Sequence, residues 1–322
     1  MHTLPVVIGL IAGLALLIKG ADTFVDASIG IARRFRVSPV IIGLTIVSMG
    51  TSIPELVISV TAAINGANDL AVANVVGANI FNLMMILGLA AMVRPISVRF
   101  YELTAEFWLS VGAAVFLLLI YFILGDVIPR PASFVLFAVY AGYIIFLVKQ
   151  SPKTSKDDPS PSETSIESKS VKPLSRLIFM ALLASALIFA GGQLTVWAAE
   201  NLGPILGLSE RVVGLTIVSI ATSLPELTFT LIACKRGENE MAVGTIIGSN
   251  IFNIMTVLGL SGVILPLTVG LGTVTDLFVL VAGSLLFLLF VTTRNKIARW
   301  EGAVMAVIYV GYIIYLLVFP VM

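Results

Sequence analysis

Ten apolar runs, at about 4–26, 37–64, 70–93, 103–124, 132–148, 175–199, 211–234, 241–265, 276–293 and 300–319, leave little of this chain for anything that stays in water. A spanning helix needs about twenty apolar residues, so these runs predict ten membrane helices, five on each side of a polar segment. Composition agrees: 58% of the 322 residues are hydrophobic and 11% charged, against about 45–50% and about 25% in soluble domains. With a mean hydropathy of +1.08, a water-soluble enzyme is excluded. A net charge of +1 offers no field of one sign for nucleic acid. The single cysteine, Cys234, excludes internal disulfides and thiolate clusters, and the single histidine, His2, excludes histidine metal sites and Ser-His triads.

Residues 150–173, QSPKTSKDDPSPSETSIESKSVKP, are too polar and too rich in Ser and Pro to bury a core. They read as a disordered linker between an N-terminal unit, 1–149, and a C-terminal unit, 174–322. No basic region or small-residue cleavage site precedes Lys19, so the first run reads as a retained span rather than a signal peptide. If the N-terminus is outside, the inside turns and linker collect 16 of the 19 Lys and Arg residues. That bias predicts both termini outside and the linker cytoplasmic.

The two halves are copies. VSPVIIGLTIVSMGTSIPELV from Val37 is matched by LSERVVGLTIVSIATSLPELT from Leu208, and AVANVVGANIFNLMMILGL from Ala71 by AVGTIIGSNIFNIMTVLGL from Ala242. Across 38–89, at an offset of 171, 26 of 52 positions are identical. The matches include Gly43, Thr45, Ser48, Thr51, Ser52, Pro54, Glu55, Asn68, Asn79 and Asn82, which similarity between greasy segments alone would not reproduce. AVYAGYIIFLV (138–148) and VIYVGYIIYLL (307–317) extend the repeat to the last span. Five spans per half make the copies face opposite ways, and the charges agree: Arg33, Arg34 and Arg36 align with uncharged residues, while Ile64 and Asn65 align with Lys235 and Arg236. The expected fold is an all-α membrane protein of ten helices in two inverted five-helix repeats, a common construction in secondary transporters.

Glu55 and Glu226 fall near the middle of their runs, where a charge costs several kcal/mol unless it meets a partner, a proton or a wet cavity. Helical spacing predicts an oxygen-bearing face of Thr45, Ser48, Ser52, Glu55 and Ser59 in one half and Thr216, Ser219, Ser223, Glu226 and Thr230 in the other, with Thr51 and Thr222 one turn from each Glu. Pro54 and Pro225 release the carbonyls of Gly50 and Ala221, and Asn82 and Asn253 supply a second polar face from the next span. Carboxylate, hydroxyl, amide and carbonyl oxygens without His or thiolate suit Ca²⁺ and Na⁺ rather than Zn²⁺ or Cu²⁺. Two Glu charges balance one Ca²⁺. Packing explains Thr45, Thr216, Ser59, Thr230, Gly77 and Gly248 equally well. Asp22 and Asp26 read as solvated, and Glu102 and Glu106 as a helix terminus.

GTSIPEL and ATSLPELT, followed by GANIFN and GSNIFN, give the chain its resemblance. It resembles the cation/calcium exchanger superfamily, specifically the prokaryotic sodium/calcium exchanger-like branch with its two α-repeats. The resemblance implies ten helices in inverted halves, four central helices forming the site, and the first and sixth helices sliding across that core. It further implies that Glu55 and Glu226 are shared Ca²⁺/Na⁺ carboxylates and that Thr51 and Thr222 add oxygens to the Ca²⁺ site. Ser52, Ser223, Ser249 and the carbonyls of Ser48 and Ser219 would serve flanking Na⁺ sites, with Asn82 and Asn253 completing the central layer. Three positions depart from the pattern. Ala78 lacks the serine hydroxyl of the usual GSN motif, Asn253 stands where some members have Asp, and Ala221 replaces the Gly of GTS. The expected activity is Ca²⁺ export against Na⁺ entry in a cell membrane, with no cofactor. Ca²⁺/H⁺ or other cation/H⁺ antiport is the alternative, and a cation channel the rival from another class.

Overall fold

The computed structural model describes residues 3–35, 38–64, 66, 68–97, 99–150, 173–205 and 219–318. The described residues are almost wholly helical. Helix α1 (Thr3–Phe35) outlasts its apolar run through ASIGIARRF, where Ala27, Ala32, Arg33 and Arg34 are good helix formers. The second run is broken into α2 (Pro39–Ile42), a π-helical turn (Gly43–Val47), α3 (Ser48–Thr51) and α4 (Ile53–Ile64). Ser38 starts it as an N-cap, its Oγ accepting from the Ile41 N–H at 3.4 Å, with Pro39 at the first helical position where no N–H is needed. The third run is α5 (Asn68–Ile80), a π turn (Phe81–Ile86) and α6 (Leu87–Val93), followed by α7 (Thr104–Leu124) and α8 (Arg130–Gln150).

The second half repeats this order. It holds α9 (Leu174–Ile205), α10 (Ser219–Thr222), α11 (Leu224–Arg236), α12 (Asn239–Phe252), a π turn (Asn253–Leu258), α13 (Gly259–Ile264), α14 (Leu271–Arg294) and α15 (Arg299–Val318). Among the described residues eight helices are long and apolar enough to cross a membrane, and nine if the bent pair Pro39–Thr51 and Ile53–Ile64 is one span. The run expected at 211–234 begins outside the described residues, and α10 and α11 are its later part. The expected linker, apart from its two ends, also lies outside them.

Burial separates a centre from a rim. The Asn239–Ile264 span is 100% buried inside the protein and Ala71–Val93 78%, whereas Arg130–Leu147 is only 22% buried and faces outward. Close approach at the centre depends on glycine. A Cβ on Gly248 would lie 2.8 Å from both the Cα and the carbonyl oxygen of Leu44, so α12 packs directly against the backbone of the Gly43–Val47 turn. Beside the core, α1 and α9 run together, and a Cβ on Gly191 would lie 2.8 Å from the Gly13 carbonyl.

Among the described residues, four two-residue strands join the halves. β1 (Ile96–Ser97) pairs antiparallel with β4 (Lys296–Ile297), Ile96 opposite Ile297, and β2 (Val127–Ile128) pairs antiparallel with β3 (Leu267–Thr268), Ile128 opposite Leu267. Each pair links one half to the other. Arginines brace the same joints: Arg94 donates to the carbonyls of Cys234 (3.4 Å) and Lys235 (3.3 Å), and Arg130 to that of Ile264 (3.0 Å). These cations sit at helix C-termini, where free carbonyls need donors.

Candidate ion site

Two helix breaks build the site. At Ser52 (φ −87°, ψ 13°) and Ser223 (φ −88°, ψ 6°) the backbone leaves helical geometry and a new helix begins. The first break bends its span by 45°. Pro54 and Pro225 occupy the opening turns of α4 and α11, where the missing N–H costs nothing. Glu55 and Glu226 lie in those same first turns, at the positive end of the helix dipole.

The halves exchange hydrogen bonds here. Ser52 Oγ donates to Glu226 Oε1 at 2.7 Å, and Ser223 Oγ donates to Glu55 Oε1 at 3.1 Å. Both glutamates, both serines, Thr51 and Thr222 are fully buried. The second oxygen of each carboxylate, Glu55 Oε2 and Glu226 Oε2, has no hydrogen-bond partner, and neither glutamate has an ion-pair partner among the described residues. The Oδ1 atoms of Asn82 and Asn253 are buried and unpartnered as well, and the buried Ser249 hydroxyl lies beside Glu226. Buried acceptors without donors are costly. Four such oxygens, in matched pairs from the two halves, suit a hard cation, which ligates oxygen and supplies the missing positive charge.

Other expected residues sort as follows. Thr51 Oγ1 donates to the Val47 carbonyl at 3.1 Å, and Ser48 Oγ donates to the Leu44 carbonyl at 2.9 Å. Ser48 O accepts from the Ser52 N–H at 3.1 Å. Ser219 contributes backbone to α10, and Thr216 lies outside the described residues. The expected single face does not hold throughout. Ser59 turns to the neighbouring helix, accepting from Asn74 Nδ2 at 3.2 Å, and Thr45 Oγ1 donates to the Ile41 carbonyl at 2.6 Å. The π turn and the break at Ser52 reset the helical register, so regular spacing does not carry across them. Asp22 and Asp26 are half-exposed as expected, but both pair with Arg236 at the end of α11. Glu102 pairs with Arg99, which also bridges to Glu240 at 2.9 Å.

Asn79 and Asn250, given no role from the sequence, lie directly behind Asn82 and Asn253. Each donates Nδ2 to the other's backbone carbonyl, at 3.0 and 3.2 Å. The signal for them is that both recur in the repeat while the residue before each, Ala78 or Ser249, does not.

The family model described as sodium/calcium exchanger protein matches residues 5–149 and 176–318. The chain belongs to the sodium/calcium exchanger protein family. It is 32% identical over 339 residues to the sodium/calcium exchanger MaX1 of Methanosarcina acetivorans, covering 95% of this chain and 97% of that one. It is also 36% identical over 268 residues to the inner membrane protein YrbG of Escherichia coli, covering 80% of this chain and 79% of that protein. A solved structure of the sodium-calcium exchanger NCX_Mj superposes with a TM-score of 0.82 at 30% identity, covering 98% of this chain and all of that one. Like other members of the exchanger family, this is a multi-pass membrane transport protein.

Proposed function

We propose that this protein is a secondary antiporter that exports Ca²⁺ in exchange for Na⁺, by alternating access around a site between the two glutamates. The crossed pair Ser52–Glu226 and Ser223–Glu55, with one free oxygen on each carboxylate, carries the reading. Two carboxylates balance one divalent cation, and Glu55, Glu226, Thr51, Thr222, Asn82 and Asn253 supply its oxygens. Ser52, Ser223, Ser249 and the carbonyls of Ser48 and Ser219 serve Na⁺ beside it. Exchange follows from charge: two bare carboxylates are too costly to carry through hydrocarbon-lined protein, so the site returns only when another cation fills it.

The scaffold in this reading is ten helices in two inverted repeats, 1–149 and 174–322, with both termini outside and the 150–173 linker cytoplasmic. The strand pairs support it. Counting spans and charges puts β1 and β4 inside and β2 and β3 outside, and each strand pairs only with the one assigned to its own side.

The test is ⁴⁵Ca²⁺ uptake into proteoliposomes loaded with Na⁺ and diluted into Na⁺-free medium, with a parallel arm under a pH gradient. Uptake driven by the Na⁺ gradient alone is expected. Uptake driven by the pH gradient instead would make the glutamates proton carriers, and Ca²⁺ flux with no counter-ion would mark a channel. Either result overturns the proposal.

A further inference from the structure

Asn79 and Asn250 close a ring on each other's backbone where the two halves meet, and Asn253 and Asn82, the two that belong to the proposed site, hang on it by one bond each. Asn79, at the end of α5, and Asn250, in α12, are buried. Asn79 Nδ2 donates to the Asn250 carbonyl at 3.0 Å, and Asn250 Nδ2 donates to the Asn79 carbonyl at 3.2 Å. A backbone carbonyl can only accept. It therefore fixes which end of the facing amide is nitrogen, and sends each Oδ1 to the other end. There Asn79 Oδ1 accepts from Asn253 Nδ2 at 3.1 Å, and Asn250 Oδ1 accepts from Asn82 Nδ2 at 3.2 Å.

The orientation thus propagates in two steps from main chain to site. Asn82 and Asn253 must spend an N–H on the ring, which leaves their Oδ1 atoms buried and without a donor. The helix of Glu226, α11, packs on the π turn that contains Asn82, and the helix of Glu55, α4, packs on the π turn that contains Asn253. A flipped amide would turn N–H donors toward a cation and repel it. Amide oxygen and nitrogen are nearly equal in size, so packing alone does not choose between them.

We infer that Asn79 and Asn250 are positioning residues that hold the Asn82 and Asn253 amides with oxygen toward the cation. The inference rests on the reading of Glu55 and Glu226 as the cation site. The control is crossed: Asn79 in the first half orients Asn253 in the second, and Asn250 orients Asn82. Neither amide is set until the halves are docked. A cation on Oδ1 also polarises the amide and strengthens its N–H bond to the ring, so binding and ring reinforce each other.

Asn79→Leu and Asn250→Leu in the full chain, reconstituted and assayed for ⁴⁵Ca²⁺ exchange, test this at similar bulk. Outer partners of metal ligands cost about 10–100-fold in affinity when lost. The half-saturating Ca²⁺ should rise at least about tenfold in each variant, with the maximal rate within about twofold of the parent. A packing role would instead lower the maximal rate and leave half-saturation alone. A double-mutant cycle supplies the second readout: because Asn79 acts through Asn253, Asn79→Leu should add less than about twofold in an Asn253→Leu background. Where a Leu variant does not reconstitute, Asn79→Ala and Asn250→Ala carry the same expectations. Half-saturation within about twofold of the parent in both single variants, or independent effects in the double, overturns the inference. Glu55→Gln assayed in parallel keeps the two readings apart: if it transports normally, it is the cation site itself that fails.

Discussion

Glu55 and Glu226 each accept one hydroxyl from the opposite half and keep one oxygen free, so replacing either with Gln is a specific insult. The Gln carbonyl can still accept from Ser52 or Ser223, but its NH₂ then occupies the position of the free oxygen and one of two charges is gone. Ca²⁺ transport by Glu55→Gln or Glu226→Gln should fall by more than about a hundredfold, beyond the loss typical of an outer-shell residue, at normal yield of folded protein; near-normal uptake by both would remove the site. A second expectation concerns Ala78, which is buried and aligns with Ser249 beside Glu226. Ala78→Ser should steepen the Na⁺ dependence of exchange, and an unchanged Na⁺ titration would mean that the hydroxyl does not ligate. The glutamates were legible in the sequence because a repeated charge in an apolar run has few explanations. The asparagine ring was not, because a recurring amide is equally expected of packing, and its meaning depends on α5 and α12 meeting across the two halves. Asp22 and Asp26 show the same gap: their exposure was legible, while Arg236, far along the chain, was invisible as their partner.

Hydropathy finds helices but not how closely they approach. The runs at 103–124 and 132–148 became Thr104–Leu124 and Arg130–Gln150 with little change, because an apolar stretch bounded by turn residues has one outcome in a bilayer. The three π turns among the described residues and the two-residue strand pairs left no mark in the pattern, since they depend on which backbones meet. Gly248 was balanced between packing and function when read from the sequence, and the backbone of Leu44 against it favours packing. Gly248→Val should therefore destabilise the protein by about 1–3 kcal/mol, the usual cost of overpacking, seen as a lower thermal unfolding temperature in detergent. Gly142→Ala, with nothing within 4 Å of the added Cβ, is the control and should leave that temperature unchanged. Equal melting of all three proteins would show that α12 can move away from the Gly43–Val47 turn without penalty.

For the whole molecule, the inverted arrangement stands or falls on which loops share a side of the membrane. Hydrogen bonding between strands requires β1 and β4 to lie at one end of the molecule and β2 and β3 to be joined to each other in the same way. With β1 and β2 separated by the single span α7, the two pairs must face opposite sides of the bilayer. In the proposed orientation, which follows the clustering of Lys and Arg, the β1–β4 end faces the cytoplasm. Impermeant maleimide decides this directly, because the one native cysteine, Cys234, is buried and should label poorly. Asp126, just before β2, and Lys296, in β4, are both exposed. Asp126→Cys should label on intact cells and Lys296→Cys only after permeabilisation. The reverse pattern would turn the protein over in the membrane and leave the repeats inverted, because orientation and inversion are separate facts. Labelling of both positions from one side would be far more damaging: it would require an even number of crossings between residues 126 and 296, and two halves so arranged could not present their glutamates to one site from opposite directions.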